Sequence, residues 1–200
     1  MASVQKFAQA AAMAQIGHAE RTNSGTESPH IDKSKTGENE QLSPRRDCAA
    51  KEYYKQRLSE LSLYNNRKDI KTLAGWIVTA PADLPKRQEA EFFRKSYAFI
   101  AARYGEKNIV TANLHRDETQ PHLHVLFIPA TPDGRVCAAD VLTRKELRRF
   151  HPELQSFLRS AGITARVING ATSAGNKTVE QLRAERPLHQ YERDERSLIF

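Results

Sequence analysis

The chain has 200 residues, with 31 Lys and Arg against 24 Asp and Glu, for a formal net charge of +7. That length holds one domain with a real core, no apolar run reaches the ~20 residues that span a bilayer, and Met1 to Ala19 has no unbroken apolar stretch of the signal-peptide kind. Cys48 and Cys137 are too few and too far apart for a disulfide framework or a thiolate metal site, so both read as free thiols in a cytoplasmic setting.

In chain order, Val4, Phe7, Ala11 and Met13 fit either a loose helix or a strand followed by a turn of helix. Gly17-His18 opens a polar, turn-rich stretch that continues to Ser43-Pro44. Connections this long are usually disordered or functional, and the folded look of its flanks favours a functional segment ordered by substrate. Asp47 to Asn65 predicts a helix through Tyr54, Leu58 and Leu61, and Leu73 to Thr79 a strand ended by Ala80-Pro81. Lys86 to Tyr104 predicts a helix with Gly105 as its stop.

Two strands follow closely. Asn108 to His115 alternates Val110, Ala112 and Leu114 against Ile109, Thr111, Asn113 and His115. His122 to Pro129 alternates His122, His124, Leu126 and Ile128 against Leu123, Val125 and Phe127. The link Arg116 to Pro121 is of hairpin length. After the turn Pro132-Asp133-Gly134, a short strand at Val136 to Ala138 pairs back on its predecessor. Thr143 to Ala161 predicts a helix with a Thr143/Glu146 capping box, kinked or interrupted at His151-Pro152. Ile163 to Ile168 reads as a last strand, and the polar tail carries a helix signal from Thr178 to Arg186. The expected fold is α+β, a central antiparallel sheet carrying the histidine hairpin and flanked by α-helices. Residues 1–185 are expected to form its domain, with 186–200 a polar tail that either ends the protein or starts a further C-terminal region.

The hairpin carries the chemistry. His122 and His124 are two apart on a strand and leave one face of the sheet. An antiparallel partner ending at His115 brings a third imidazole beside them. Three imidazoles on a rigid platform can form one side of a metal's coordination sphere and leave the other positions open. Imidazole suits Mn, Fe, Co, Ni, Cu and Zn better than Mg. Asp117, next to Glu118, should point away from that face and act structurally.

The string His115-Arg116-Asp117-Glu118-Thr119-Gln120-Pro121-His122-Leu123-His124 resembles the hallmark of the Mob/Pre (MobV-type) plasmid mobilisation relaxases, within the HUH endonucleases. Every specified position of His-x-Asp-Glu-x-x-Pro-His-x-His is filled. His18-Ala19-Glu20-Arg21 matches the family's N-terminal His-x-x-Arg element. An Asp-x-x-Arg-x-x-x-Asn-Tyr element is matched in part: Asp32 and Asn39 fit, while Lys35 and Glu40 replace the Arg and Tyr. Asn66-Arg67-Lys68-Asp69 before Trp76 resembles the family's pre-strand region.

The resemblance implies a metal-dependent relaxase that nicks plasmid DNA at an origin of transfer, in the bacterial cytoplasm. Its divalent ion is Mn first, with Mg, Zn, Co or Ni as alternatives. His18 is the implied nucleophile, forming a 5′-phosphohistidine, and His115, His122 and His124 hold the metal. Glu118 is assigned to fix the His18 tautomer, by the logic that pairs a carboxylate with a histidine in hydrolytic triads. Arg21 either grips a phosphate or is a solvated charge. The net positive charge suits DNA as the partner, held as a single strand or hairpin near the nick site, because each neutralised phosphate releases a counterion. Arg21, Lys35, Arg67 and Lys68 are the expected DNA contacts, with Lys33, Arg45 and Arg46 as further candidates. Self-association would use a region outside this chain.

His30 rivals His18 as nucleophile, and Tyr53, Tyr54 and Tyr64 are the candidates for a tyrosine-type enzyme. His151 and His189 read as surface residues. Three other readings stay open: a replication initiator or transposase of the HUH group, a ferrous oxygenase using two histidines and a carboxylate, and a non-catalytic DNA-binding module.

Overall fold

Alternating apolar residues in the middle of the chain build the sheet that carries everything else. The computed structural model describes residues 2–23, 31–63 and 69–168. Strands β1 (Ala2–Ala8), β2 (Glu40–Gln41), β4 (Lys71–Thr79), β5 (Ile109–His115) and β6 (His122–Phe127) form a five-stranded sheet in the order β1-β4-β6-β5-β2. Every neighbouring pair is antiparallel. A second, two-stranded sheet pairs β3 (Ser62–Leu63) in parallel with β7 (Arg135–Val136). Strand β7 thus pairs mainly with β3, and only Val136 bridges back to Ala130.

Helices cover both faces, as the sheet's two-sided hydrophobicity requires. On one side, α3 (Glu89–Tyr104) and α5 (Arg144–Ser160) bring Phe92, Phe93, Ile100, Phe150 and Leu154 onto Trp76, Leu123, Val125 and Phe127. Trp76 stacks on Phe150 with ring centroids 3.5 Å apart. On the other side, α1 (Gln9–Ala19) and α2 (Ala50–Ser59) pack Ala12, Ile16, Tyr54 and Leu58 onto Leu73, Val110, Leu126 and Ile128. The described part of the chain is thus mixed α and β, with a central antiparallel sheet flanked by helices.

Several further details differ from the sequence reading, among them the helix expected to reach Asn65, which ends at Ser59 and leaves Leu63 in β3. The stretch from Gly17 does not begin as loop: His18 sits in the last turn of α1, which runs to Ala19. Gly17 is needed there because Asn23 folds across it to donate to the Ala14 carbonyl, and a Cβ would lie 1.9 Å from Asn23 Oδ1. A β-bulge between Ile109 and Thr111 puts Val110 on the α1 face and Ile109 on the α3 face, breaking simple alternation. Helix α5 continues through Pro152 without interruption. Ile163 to Ile168 forms no strand. Gln155 replaces the missing neighbour, donating to the Ala165 carbonyl and accepting from the Val167 amide.

The remaining helix, α4 (Ala138–Val141), is a single turn. Thr143 caps α5 by accepting from the Glu146 amide, one half of the capping box, while the Glu146 carboxylate accepts from Arg103 and Tyr104. His151 is not a surface residue: it is half-buried, bonds the Ala2 carbonyl and meets Trp76 edge-on. The compact unit covers Met1–Ile168. The domain boundary at 185, the tail helix and His189 lie outside the described residues, as do His30, Tyr64, Arg67 and Lys68.

Candidate active site

Register places the histidines. His115 on β5 lies directly opposite His122 on β6, and His124 lies opposite Asn113. Cross-strand partners share a face, and so do residues two apart on one strand. All three imidazoles therefore leave the sheet on the α1 side. Their ligand nitrogens lie within 4.8 Å of one another.

Hydrogen bonds fix which nitrogen of each ring is free. The His115 Nε2 lies 2.8 Å from the Ala19 carbonyl, which can only accept, so Nε2 carries the proton. Nδ1 then holds the lone pair, and it is buried with no hydrogen-bond partner. His122 donates from Nδ1 to the Gln120 carbonyl at 2.9 Å, leaving Nε2 as its free nitrogen. A buried acceptor without a donor is unfavourable unless something else fills the role, and a cation on the His115 lone pair would do so. The donor set fits a divalent metal.

The surroundings keep His115 and His124 neutral. Burial, then the neighbouring histidines, push His124 well below the usual histidine value. Burial lowers His115 to about 4 against the opposing bond to Ala19. Metal ligation needs the neutral form.

The Ala19 carbonyl is one of the helix-end acceptors that α1 cannot satisfy internally. Its bond to His115 ties the end of α1 to the end of β5, and this brings His18 to the histidines. The His18 ring centre is 5.5 Å from that of His124 and 6.3 Å from that of His115. Burial, then Arg21, lowers the His18 pKa, with Glu118 opposing.

Arg21 closes the site. It adopts a left-handed backbone, φ 56°, which in a non-glycine residue is held only by its surroundings. Its Nε and Nη2 donate to the two oxygens of Asp117 at 3.0 and 2.7 Å, and Nη2 also donates to Glu118 at 2.6 Å. Nη1 is buried with no hydrogen-bond partner. Asp117 is fully buried. Burial alone would raise its carboxyl, but donors from Arg21 and Asn39 hold it at about 2. Glu118 Oε1 sits between Arg21 and His122 Nε2, 3.8 Å from the latter.

The structure therefore brings His18, Arg21, Glu118, His115, His122 and His124 together. Lys35 stands apart, exposed and paired with Asp32 at 3.3 Å. Arg46 is occupied: it donates to the Ile109 and Val110 carbonyls at the bulge and lies over Tyr53. Tyr53 donates to the Lys107 carbonyl, and Tyr54 is hydrogen-bonded to Thr72 inside the core. Thr36 and Asn39 were not among the expected site residues, yet both donate to Asp117. The signal for Asn39 was its place in the partly matched third element.

The chain matches the Mob_Pre family, described as plasmid recombination enzyme, over residues 1–182. It is a member of that family. It is 32% identical over 149 residues to a plasmid recombination enzyme of Bacillus thuringiensis, covering 72% of this chain and 34% of that protein. A Streptococcus agalactiae plasmid recombination enzyme is 27% identical over 173 residues, covering 83% of this chain and 35% of its own length. The chain thus spans about a third of the length of these curated relatives. Among solved structures, the MobM relaxase domain bound to plasmid pMV158 oriT DNA, Mn-bound at pH 6.8, superposes with TM-score 0.78 at 25% identity. It covers 94% of this chain and 98% of that one. The Mn-bound complex at pH 4.6 gives TM-score 0.77 at 26% identity, covering 92% and 98%.

Proposed function

We propose that this chain is a metal-dependent relaxase domain that nicks one strand of plasmid DNA at an origin of transfer and can rejoin it. The carrying observation is the convergence of four imidazoles, three on one sheet face and His18 on the end of α1. Support comes from membership of the Mob_Pre family and from likeness to a relaxase domain bound to oriT DNA.

His115, His122 and His124 would hold a divalent ion, with Mn the first to test because the similar structures are Mn-bound. When bound, such an ion polarises the scissile phosphate and offsets the negative charge that develops there. The lone pair of neutral His18 attacks phosphorus, the P–O3′ bond breaks, and a 5′-phosphohistidine and a free 3′-hydroxyl result. The proton on the other His18 nitrogen passes by way of Glu118, which Arg21 holds beside the ring cluster, to the departing O3′ and makes it the hydroxyl. The buried Nη1 of Arg21 supplies a donor for a phosphate oxygen. A phosphoramidate retains much of the energy of the broken ester, so the 3′-hydroxyl can reverse the step. Such a reaction belongs in the bacterial cytoplasm, where plasmid DNA is found.

The test is a nicking assay on supercoiled plasmid carrying the cognate origin, with and without Mn. Relaxation that depends on Mn and on His18 supports the reading. Binding without relaxation in every metal tried would make this a DNA-binding module.

A further inference from the structure

One side chain outside the reacting cluster touches two points of the loop that positions it. Asn39 accepts the Arg116 backbone N–H at 2.8 Å through Oδ1 and donates through Nδ2 to Asp117 Oδ2 at 2.8 Å. It thereby grips the link between His115 and Glu118 by main chain and side chain at once. Asn39 is itself placed by two neighbours: the 3₁₀ turn Lys33–Glu38 precedes it, and β2 pairs Glu40 with Leu114 after it. The Asp32 amide adds a bond to the Asp117 carbonyl at 2.7 Å.

Asp117 needs these partners. A carboxylate removed from water is strongly destabilising unless its oxygens are matched by donors. Arg21 supplies two donations, Asn39 and Thr36 the others. The same Asp117 orients the guanidinium that holds Glu118. Removing Asn39 would leave Asp117 short of a donor and free the Arg116 backbone. Arg21 and Glu118 would then lose their fixed direction. One Nδ2 hydrogen and the Oδ1 atom of Asn39 are engaged by protein groups, so these two contacts turn inward to the loop.

We propose that Asn39 is a positioning residue for strand cleavage, acting through Asp117 and the Arg116 amide to hold Arg21 and Glu118 against the histidines. This rests on the relaxase reading above. It gives the third sequence element an internal role in the site in place of DNA contact.

The test compares wild type, Asn39→Ala, Asp117→Asn and the double variant in single-turnover cleavage at saturating origin oligonucleotide, with oligonucleotide Kd measured separately. Asn39→Ala should slow cleavage roughly 10-fold, in the range of residues that support a site from behind, with Kd within about twofold. The double variant should be no slower than Asp117→Asn, because one path carries both effects. Unchanged cleavage, effects that multiply, or a weakened Kd with an unchanged rate would overturn the proposal, the last marking a DNA contact.

Nitrogen-15 NMR gives a reading independent of activity. The Arg116 amide and the Arg21 Nε–H should exchange slowly in wild type and fast in Asn39→Ala, and unchanged exchange would contradict the proposal. If Asn39→Ala fails to fold, Thr36→Val removes one donor to Asp117 and should give a smaller loss in the same direction. If wild type never cleaves, the relaxase reading fails, and the exchange measurement still decides what Asn39 holds.

Discussion

Strand β6 carries two chemistries on its two faces. Leu123, Val125 and Phe127 point into a buried core with aromatic rings from α3, β4 and α5. His122 and His124 point to the α1 side and meet two more imidazoles there. Burial on the first face stabilises the fold in proportion to apolar area. On the second face it desolvates imidazoles and leaves the His115 Nδ1 without a partner. A face that gives up stability in this way is the mark of a working site, and the core opposite is what lets the sheet tolerate it.

The contrast can be broken from either side. Truncating the core with Phe150→Ala should have the largest effect, roughly 3–5 kcal/mol of unfolding free energy, because the ring is fully buried and stacked on Trp76. Denaturant titration reads it, and Mn affinity of the folded protein should stay within about twofold. A large fall in Mn affinity would show that the two faces are not separate.

Acid should act on the other face. The folded pKa of His115 lies below its ordinary value, at about 4, so the unfolded chain takes up a proton first as pH falls. Stability from this residue is therefore complete above about pH 6.5 and is lost as pH falls towards 4, by on the order of 3 kcal/mol in the metal-free protein. Saturating Mn should move that loss to lower pH, since metal and proton compete for the same nitrogen. Urea midpoints across this range, with and without Mn, check the sign. A flat profile without metal would count against a neutral, desolvated cluster.

His122→Ala should act on function more than on fold. Its Nε2 is one of the clustered ligand nitrogens and its side chain is 12% exposed, so Mn affinity should fall roughly 100-fold or more while unfolding free energy changes by about 1–2 kcal/mol. Calorimetric titration with Mn would show it. Unaltered affinity would remove His122 from the ligand set.

Much of this site could be read in the sequence because strand geometry is short-range. The spacing of His122 and His124 fixes their common face, and the six-residue link after His115 leaves little choice of register. What was hidden depends on contacts far along the chain. Gly17-His18 looks like the start of a loop, since the helix holding it is completed by Asn23 folding back and by His115 capping Ala19. Nothing local to Val110 announces a bulge; Arg46, more than 60 residues away in sequence, ties down the two carbonyls there. Ile163 to Ile168 has a strand's alternation, but the Gln155 side chain takes the place of a neighbouring strand. Asn39 was visible only as part of an imperfect motif, because what it grips lies 77 and 78 residues away.

The central claim is that His18 attacks the phosphate. Its most direct test is to incubate the protein and Mn with a 3′-labelled origin strand, stop with denaturant, digest with protease and identify the labelled peptide. The account predicts label on the peptide containing His18, lost on brief acid treatment as a phosphoramidate should be, and no capture by His18→Ala. Acid-stable label on a tyrosine peptide, or full capture by His18→Ala, would contradict it.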